Sequence, residues 1–166
     1  MVHRGDDVTN EEHLATLHPV FAAKVRKTLE ECEIVGDRFR ITQSLRSLEA
    51  QQAIYMQGRH PLGIVNEFRV SIGFPPITEK ENRIVTGAPP GYSFHNFGLA
   101  ADVCYATGKP YSDNGRQVTW EGFGSLAQAH ELTWGGWWKR PDRPHVEWSG
   151  GLTLAELRAG KRPAID

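Results

Sequence analysis

The chain has 166 residues, 39% of them hydrophobic and 23% charged, with a formal net charge of -1. That is enough for one ordinary domain with a true core and too little for two. The balance excludes the charge excess of a disordered segment and the basic excess of a nucleic-acid binder, and it offers no long-range attraction to an acidic surface. No apolar run approaches the roughly 18 residues of a spanning helix, and the opening Met1-Val-His-Arg-Gly-Asp-Asp7 lacks the apolar stretch of an export signal. The expectation is one domain over 1–166, a monomer without nucleic-acid partner or membrane insertion, synthesised in the cytoplasm without a signal peptide. Cys32 and Cys104 are too few for a disulfide framework and match no Cys-x-x-Cys metal pattern, so both are read as free thiols.

After a polar leader at 1–10, Leu14, Leu17, Phe21, Val25 and Leu29 recur at spacings of three and four, which predicts one helix over 11–31 lying on a sheet. Gly36-Asp37 ends that pattern, and Arg38-Phe-Arg-Ile-Thr42 alternates as a half-buried strand does. Residues 47–57 predict a helix capped by Ser47 and stopped by Gly58. Turn formers crowd 59–91, a long structured loop with a short helix near 65–70. Strand signals return at 99–105, 107–114 is a loop tip, and 120–132 predicts a helix capped by Thr119. Short strands follow at Thr133-Trp134 and 145–148. Thr153-Leu-Ala-Glu156 has capping-box spacing for a last helix, with a frayed tail at 161–166. Strands and helices without βαβ rhythm predict an α+β fold, a small, mostly antiparallel sheet flanked by helices, with the functional site at the sheet edge.

Ser93-Phe-His95-Asn-Phe-Gly98-Leu-Ala100-Ala-Asp102 and Asp142-Arg-Pro-His145 together supply two imidazoles and two carboxylates. Zinc that does chemistry is held by three protein ligands with the fourth tetrahedral position open to water, which makes His95, Asp102 and His145 candidate ligands and Asp142 a candidate base. Taken singly, each histidine is more simply read as structural, and Asp142 has a second reading as a loop-capping carboxylate; the combination is what points to a metal. His3, His13, His18, His60 and His130 have no such company. On a strand, period-two alternation puts Cys104 on the face of Asp102, a substitute ligand by position. Glu147 alternates with Val146 and Trp148 and is a candidate partner for a ligating imidazole.

Ser93-x-His95-x-x-Gly98-x-Ala100-x-Asp102 and Asp142-x-x-His145 resemble the zinc peptidases of peptidoglycan, the D-alanyl-D-alanine carboxypeptidases and dipeptidases together with the bacteriophage L-alanyl-D-glutamate endopeptidases. Arg46-Ser-Leu-Glu-Ala-Gln51-Gln-Ala-Ile-Tyr55-Met-Gln-Gly58-Arg59 is similar to the family's arginine-centred helix segment, and Trp134-Gly-Gly-Trp137 to the stretch before its second metal motif. The resemblance implies Zn2+ on His95, Asp102 and His145, with Asp142 as the base three residues before the last ligand. It also implies that Arg46 faces the scissile carbonyl, where a fixed cation stabilises the developing oxyanion more than the neutral ground state. Ser93, Gln51 and Trp137 become substrate-binding candidates. Ser93 reads equally as a turn residue, Gln51 and Tyr55 as supports, and Trp134, Trp137 and Trp138 as core.

The function implied is hydrolysis of peptidoglycan stem-peptide amides, L-alanyl-D-glutamate first, by an endolysin. Asp rather than Glu as base resembles the phage branch, whose enzymes are made in the host cytoplasm and reach the wall after release. One alternative is a D-alanyl-D-alanine carboxypeptidase or dipeptidase with the same metal centre. Another is a non-catalytic zinc-containing wall-binding or signalling module, against which Asp142 and Arg46 speak, because a structural zinc uses neither a base nor an oxyanion partner.

Overall fold

The computed structural model describes residues 8–165. Residues 1–7 and Asp166 lie outside that range, and with them most of the leader, the reading of the amino terminus and the last residue of the tail. The helices are α1 (Asn10–Ala15), α2 (Pro19–Val35), α3 (Leu48–Met56), α4 (Leu62–Ser71), α5 (Trp120–Ala129) and α6 (Leu154–Arg158). The strands β1 (Phe39–Gln43), β2 (Ala100–Tyr105), β3 (Thr133–Trp134) and β4 (His145–Glu147) form one sheet in the order β1-β2-β4-β3, every pair antiparallel. The α+β expectation holds, and no helix among the described residues is long and apolar enough to cross a membrane.

The apolar stripe from Leu14 to Leu29 is buried throughout, but it runs over two helices, which corrects the single helix expected at 11–31. Pro19 is the reason: it lacks an N–H, and its ring would collide with the Ala15 carbonyl in a continuous helix, whereas at the first position of α2 it fits. The break frees the His18 backbone N–H to donate to the Gly98 carbonyl at 2.9 Å, tying the amino-terminal helices to the turn that carries His95. Gly98 has φ 68°, and a Cβ there would sit 3.1 Å from the Thr16 carbonyl oxygen, so the joint needs glycine.

One face of the sheet makes the core. Phe39 lies opposite Tyr105 and Ile41 opposite Val103, all four buried, with Phe21 and Val25 of α2 and Phe123 of α5 in the same cluster. Burying each such side chain is worth about 1.5–3 kcal/mol. The Tyr105 hydroxyl satisfies itself on the Val118 carbonyl at 2.7 Å. The other face carries Arg40 opposite Cys104 and Gln43 opposite Asp102. Between Ile41 and Gln43 the register slips, with Thr42 the extra residue of a β-bulge. Bulges bend a strand, and this one turns the chain out of β1 so that Arg46 reaches the carboxylate of Asp102.

Capping residues mark several helix starts as the sequence suggests: the Ser47, Thr119 and Thr153 side chains accept from the N–H groups of Ala50, Gly122 and Glu156. α4 is longer than the short helix expected near 65–70. Within the otherwise exposed tail, Pro163 is buried against Gly150 and its carbonyl accepts from His18 Nε2 at 3.1 Å.

Candidate metal centre

Three elements converge on one point. β2 presents Asp102, β4 presents His145 directly opposite it, and the 3-10 turn Phe94–Phe97 presents His95. One ligand atom from each of the three lies within 4.8 Å of the others. The cluster stands on the two inner strands where the β2–β4 ladder ends, a more specific position than the sheet edge. His95 and His145 are 3% and 7% exposed, so neither is a solvated surface histidine.

Each imidazole is aimed by its second nitrogen. The Ser44 carbonyl accepts from His95 Nδ1–H at 2.8 Å, leaving the Nε2 lone pair directed to the cluster, 3.4 Å from Asp102 Oδ2. Glu147 Oε2 lies 2.8 Å from His145 Nε2, and His145 Nδ1 is 3.0 Å from Asp102 Oδ1. Acceptors of this kind fix tautomer and ring orientation in metal-ligating histidines, and Glu147 takes the part read for it in the sequence. Two imidazoles and one carboxylate, buried and open on one side to a cleft, fit the donor set of a catalytic Zn2+.

The charge balance of the protein alone shows how tightly these groups are coupled. Burial would raise the Asp102 carboxyl, but hydrogen bonds from His145 and His95 and their positive charge outweigh it and hold Asp102 well below the usual carboxylate range. Burial likewise works against charge on His145, yet its hydrogen bonds to Asp102 and Glu147 lift it to about 9.

The cluster opens into a cleft of about 610 Å³ lined also by Arg46, Ser93, Trp138, Arg140 and Asp142. Asp142 meets solvent in the cleft while protein crowds its inner side, and that partial enclosure, reinforced by the charge of Asp102, raises its carboxyl above the ordinary value. Asp102 and Asp142 are thus pushed in opposite directions. The loop is pinned by the Asp142 N–H donating to the Gly135 carbonyl at 2.9 Å and by the His145 N–H donating to the Asp142 carbonyl at 3.2 Å. A Cβ at Gly135 would come within 2.6 Å of the Asp142 carbonyl oxygen, so this approach also requires glycine.

Arg46 closes the opposite wall. Its guanidinium donates to Gln51 Oε1 at 3.1 Å and Gln43 Oε1 at 3.5 Å and stands 3.9 Å from Asp102 Oδ2. Its backbone N–H donates to the His95 carbonyl at 2.9 Å, and Asn96 Nδ2 donates to its carbonyl at 3.1 Å, so oxyanion candidate and ligand turn are one unit.

The structure brings His95, Asp102, His145, Asp142, Arg46 and Ser93 to this cleft. Ser93 Oγ also accepts from the His95 N–H at 3.3 Å, capping the ligand turn. Two substrate-binding candidates need correction. Gln51 is 0% exposed, with its oxygen on Arg46 and its nitrogen on the Ala88 carbonyl at 2.7 Å, so it holds Arg46 in place and is out of a substrate's reach. Trp137 is not among the residues lining the cleft and packs edge-on against the buried Trp134 at 5.1 Å, while its neighbour Trp138 lines the cleft 5.1 Å from the His145 ring. Cys104 shares the face of Asp102 but is not part of the donor cluster, and burial pushes its thiol up; both cysteines are free. The Ser44 carbonyl and Asn96 have no sequence signal beyond their closeness to the motifs.

Comparison with known proteins bears on this site. Residues 86–148 match the family model described as D-alanyl-D-alanine carboxypeptidase, a span that contains all three candidate ligands and Asp142. The chain is 28% identical over 141 residues to the peptidoglycan L-alanyl-D-glutamate endopeptidase CwlK of Bacillus subtilis (strain 168), covering 79% of this chain and 72% of that protein. Its fold is similar to the crystal structure of the Serratia marcescens L-Ala D-Glu endopeptidase ChiX, with TM-score 0.51 and 20% identity over 92% of each chain. It is also similar to DacB from Streptococcus pneumoniae D39, with TM-score 0.51 and 18% identity over 89% of this chain and 73% of that one. At these identities the structural likeness speaks for the fold.

Proposed function

From the match of residues 86–148 and the similarity to CwlK, we propose that the chain is a zinc metallopeptidase of the peptidoglycan peptidase family of D-alanyl-D-alanine carboxypeptidases and L-alanyl-D-glutamate endopeptidases, and that it cleaves the L-alanyl-D-glutamate bond of the stem peptide. The observation that carries this reading is the convergence of His95, Asp102 and His145 within 4.8 Å in a cleft that also presents Asp142 and Arg46. His95, Asp102 and His145 would hold the zinc, which would supply a Lewis acid able to polarise the scissile carbonyl and to acidify water.

The rest of the work belongs to the chain. Asp142, with its carboxyl raised, accepts the proton of the attacking water and delivers it to the departing amine nitrogen. Arg46, preset by Gln51 and Gln43, donates to the oxygen of the scissile carbonyl as negative charge develops there. Trp138 shields the His145 side of the cleft.

Internal cleavage is supported by a second hollow of about 500 Å³ on the far side of Asp142, lined by Tyr111, Pro141, Arg143 and Pro144, which gives a substrate room beyond the scissile bond. The similarity to CwlK supports the same bond. Asp as base, a resemblance to the phage branch, supports an endolysin role, with synthesis in a host cytoplasm and action on the wall after release. A D-alanyl-D-alanine carboxypeptidase is the second reading, favoured by the description of the matching family model. Mass analysis of fragments from purified muropeptides tests both. A new D-glutamyl amino terminus is the expected result; release of free D-alanine alone would replace the first reading with the second.

A further inference from the structure

Of the two arginines lining the cleft, only one is engaged by the protein. Arg46 is half-enclosed and held by Gln51, Gln43 and Asp102. Arg140 lines the same cleft, is exposed, and makes no hydrogen bond or ion pair among the described residues. The cleft carboxylates do not claim it: Asp102 and Glu147 are bound to the histidines, and Asp142 is the proposed base. Arg143 is turned toward Glu121 at 3.8 Å. Pro141 restricts the backbone of Arg140 to extended conformations, so the side chain is displayed from a stiffened loop two residues from Asp142.

An unclaimed guanidinium beside a hydrolytic centre matches a substrate carboxylate, which it grips through parallel N–H donors. We propose that Arg140 is a specificity-determining residue that binds a free carboxylate of the substrate next to the scissile bond. This rests on the peptidase reading above. A glutamyl residue joined to the peptide through one carboxyl keeps its other carboxyl free, and so does the carboxy-terminal residue of a stem peptide. Both sources offer the same group, and substrates separate them.

The test uses the zinc-loaded full chain with three muropeptides: one with free carboxylates, one with the internal glutamyl carboxylate amidated, and one with only the carboxy terminus amidated. With D-glutamate as the source, the wild type loses about tenfold or more in kcat/KM on the internally amidated peptide, mostly through KM, and little on the terminal amide. Arg140→Gln lowers kcat/KM by a similar factor on the free-carboxylate peptide, keeps its zinc, and no longer distinguishes acid from amide; Arg140→Lys restores part of the preference. If the terminal amide is the one rejected, with the same dependence on Arg140, the residue grips a terminal carboxylate and the reaction is a carboxypeptidase's. Equal turnover of all three peptides by the wild type, or an unchanged KM in Arg140→Gln, overturns the inference and leaves the peptidase reading standing. Failure of the wild type to cut any of them overturns that reading, and the role of Arg140 falls with it.

Discussion

The two walls of the cleft are built by different physics. On one wall, His95 and Arg46 take their hydrogen bonds from neutral groups, the Ser44 carbonyl, the amides of Gln51 and Asn96, and the backbone bond from Arg46 to His95, and meet charge only at Asp102, 3.4 and 3.9 Å away. On the other, His145 sits between two carboxylates, Asp102 and Glu147, with Asp142 close by. The first wall fixes positions; the second fixes protonation states and responds to pH. A hydrolytic centre needs both, a place for the reacting atoms and a proton inventory matched to the chemistry.

Removing a ligand should erase the contrast altogether. Either His95→Ala or His145→Ala is expected to lose bound zinc and turnover together, measured by metal analysis and muropeptide cleavage on the same preparations. Full metal and full activity in either variant would mean the site lies elsewhere.

Arg46 tests the first wall. Losing an oxyanion donor typically costs about 10²- to 10³-fold in turnover, so Arg46→Ala should fall in kcat with zinc content unchanged. Lys should rescue little, because a point charge does not reproduce the planar fork that Gln51 and Gln43 orient. A rise in KM alone would recast Arg46 as a substrate anchor.

Glu147 tests the second wall. Glu147→Gln keeps an acceptor beside His145 Nε2 but removes the charge, and loss of such a partner typically weakens metal affinity about 10- to 100-fold. Competition with a chelator measures it, and an affinity equal to wild type would reduce Glu147 to a bystander.

The smallest effect is on stability against pH in chelator. His145 is raised from the ordinary 6.5 to about 9 in the folded metal-free protein, so its contribution is complete below pH 6.5 and is lost as pH rises through about 9. Asp102 is lowered, so its contribution is present above its ordinary 3.8 and is lost as pH falls. The melting temperature of the chelated protein should therefore drop between pH 6.5 and 9, and that drop should shrink in Glu147→Gln. A flat profile in the wild type would show that His145 is not held by the two carboxylates.

What could be read in the sequence follows from whether an interaction belongs to a side chain or to a place in the fold. His95, Asp102, His145 and Asp142 stand in spaced motifs, and Ser47, Thr119 and Thr153 cap helices by local chemistry, so all were legible. The break at Pro19 was hidden because the apolar stripe continues across it. The acceptor that aims His95 is a backbone carbonyl, for which any residue would do. Gln51 carries an exposed-looking amide, and only the packing of α3 against the Ala88 segment buries it. Trp137 and Trp138 are neighbours of one type, and a single 3-10 turn decides which of them faces the cleft.

The most direct test of the account is zinc content and turnover of Asp142→Asn measured side by side with the wild type. The amide cannot accept a proton, while the three ligands remain untouched. The expected result is about one zinc per chain in both proteins and a loss of about 10²- to 10⁴-fold in turnover by the variant. Turnover within about threefold of wild type would contradict the assignment, as would a wild-type protein that is active without zinc.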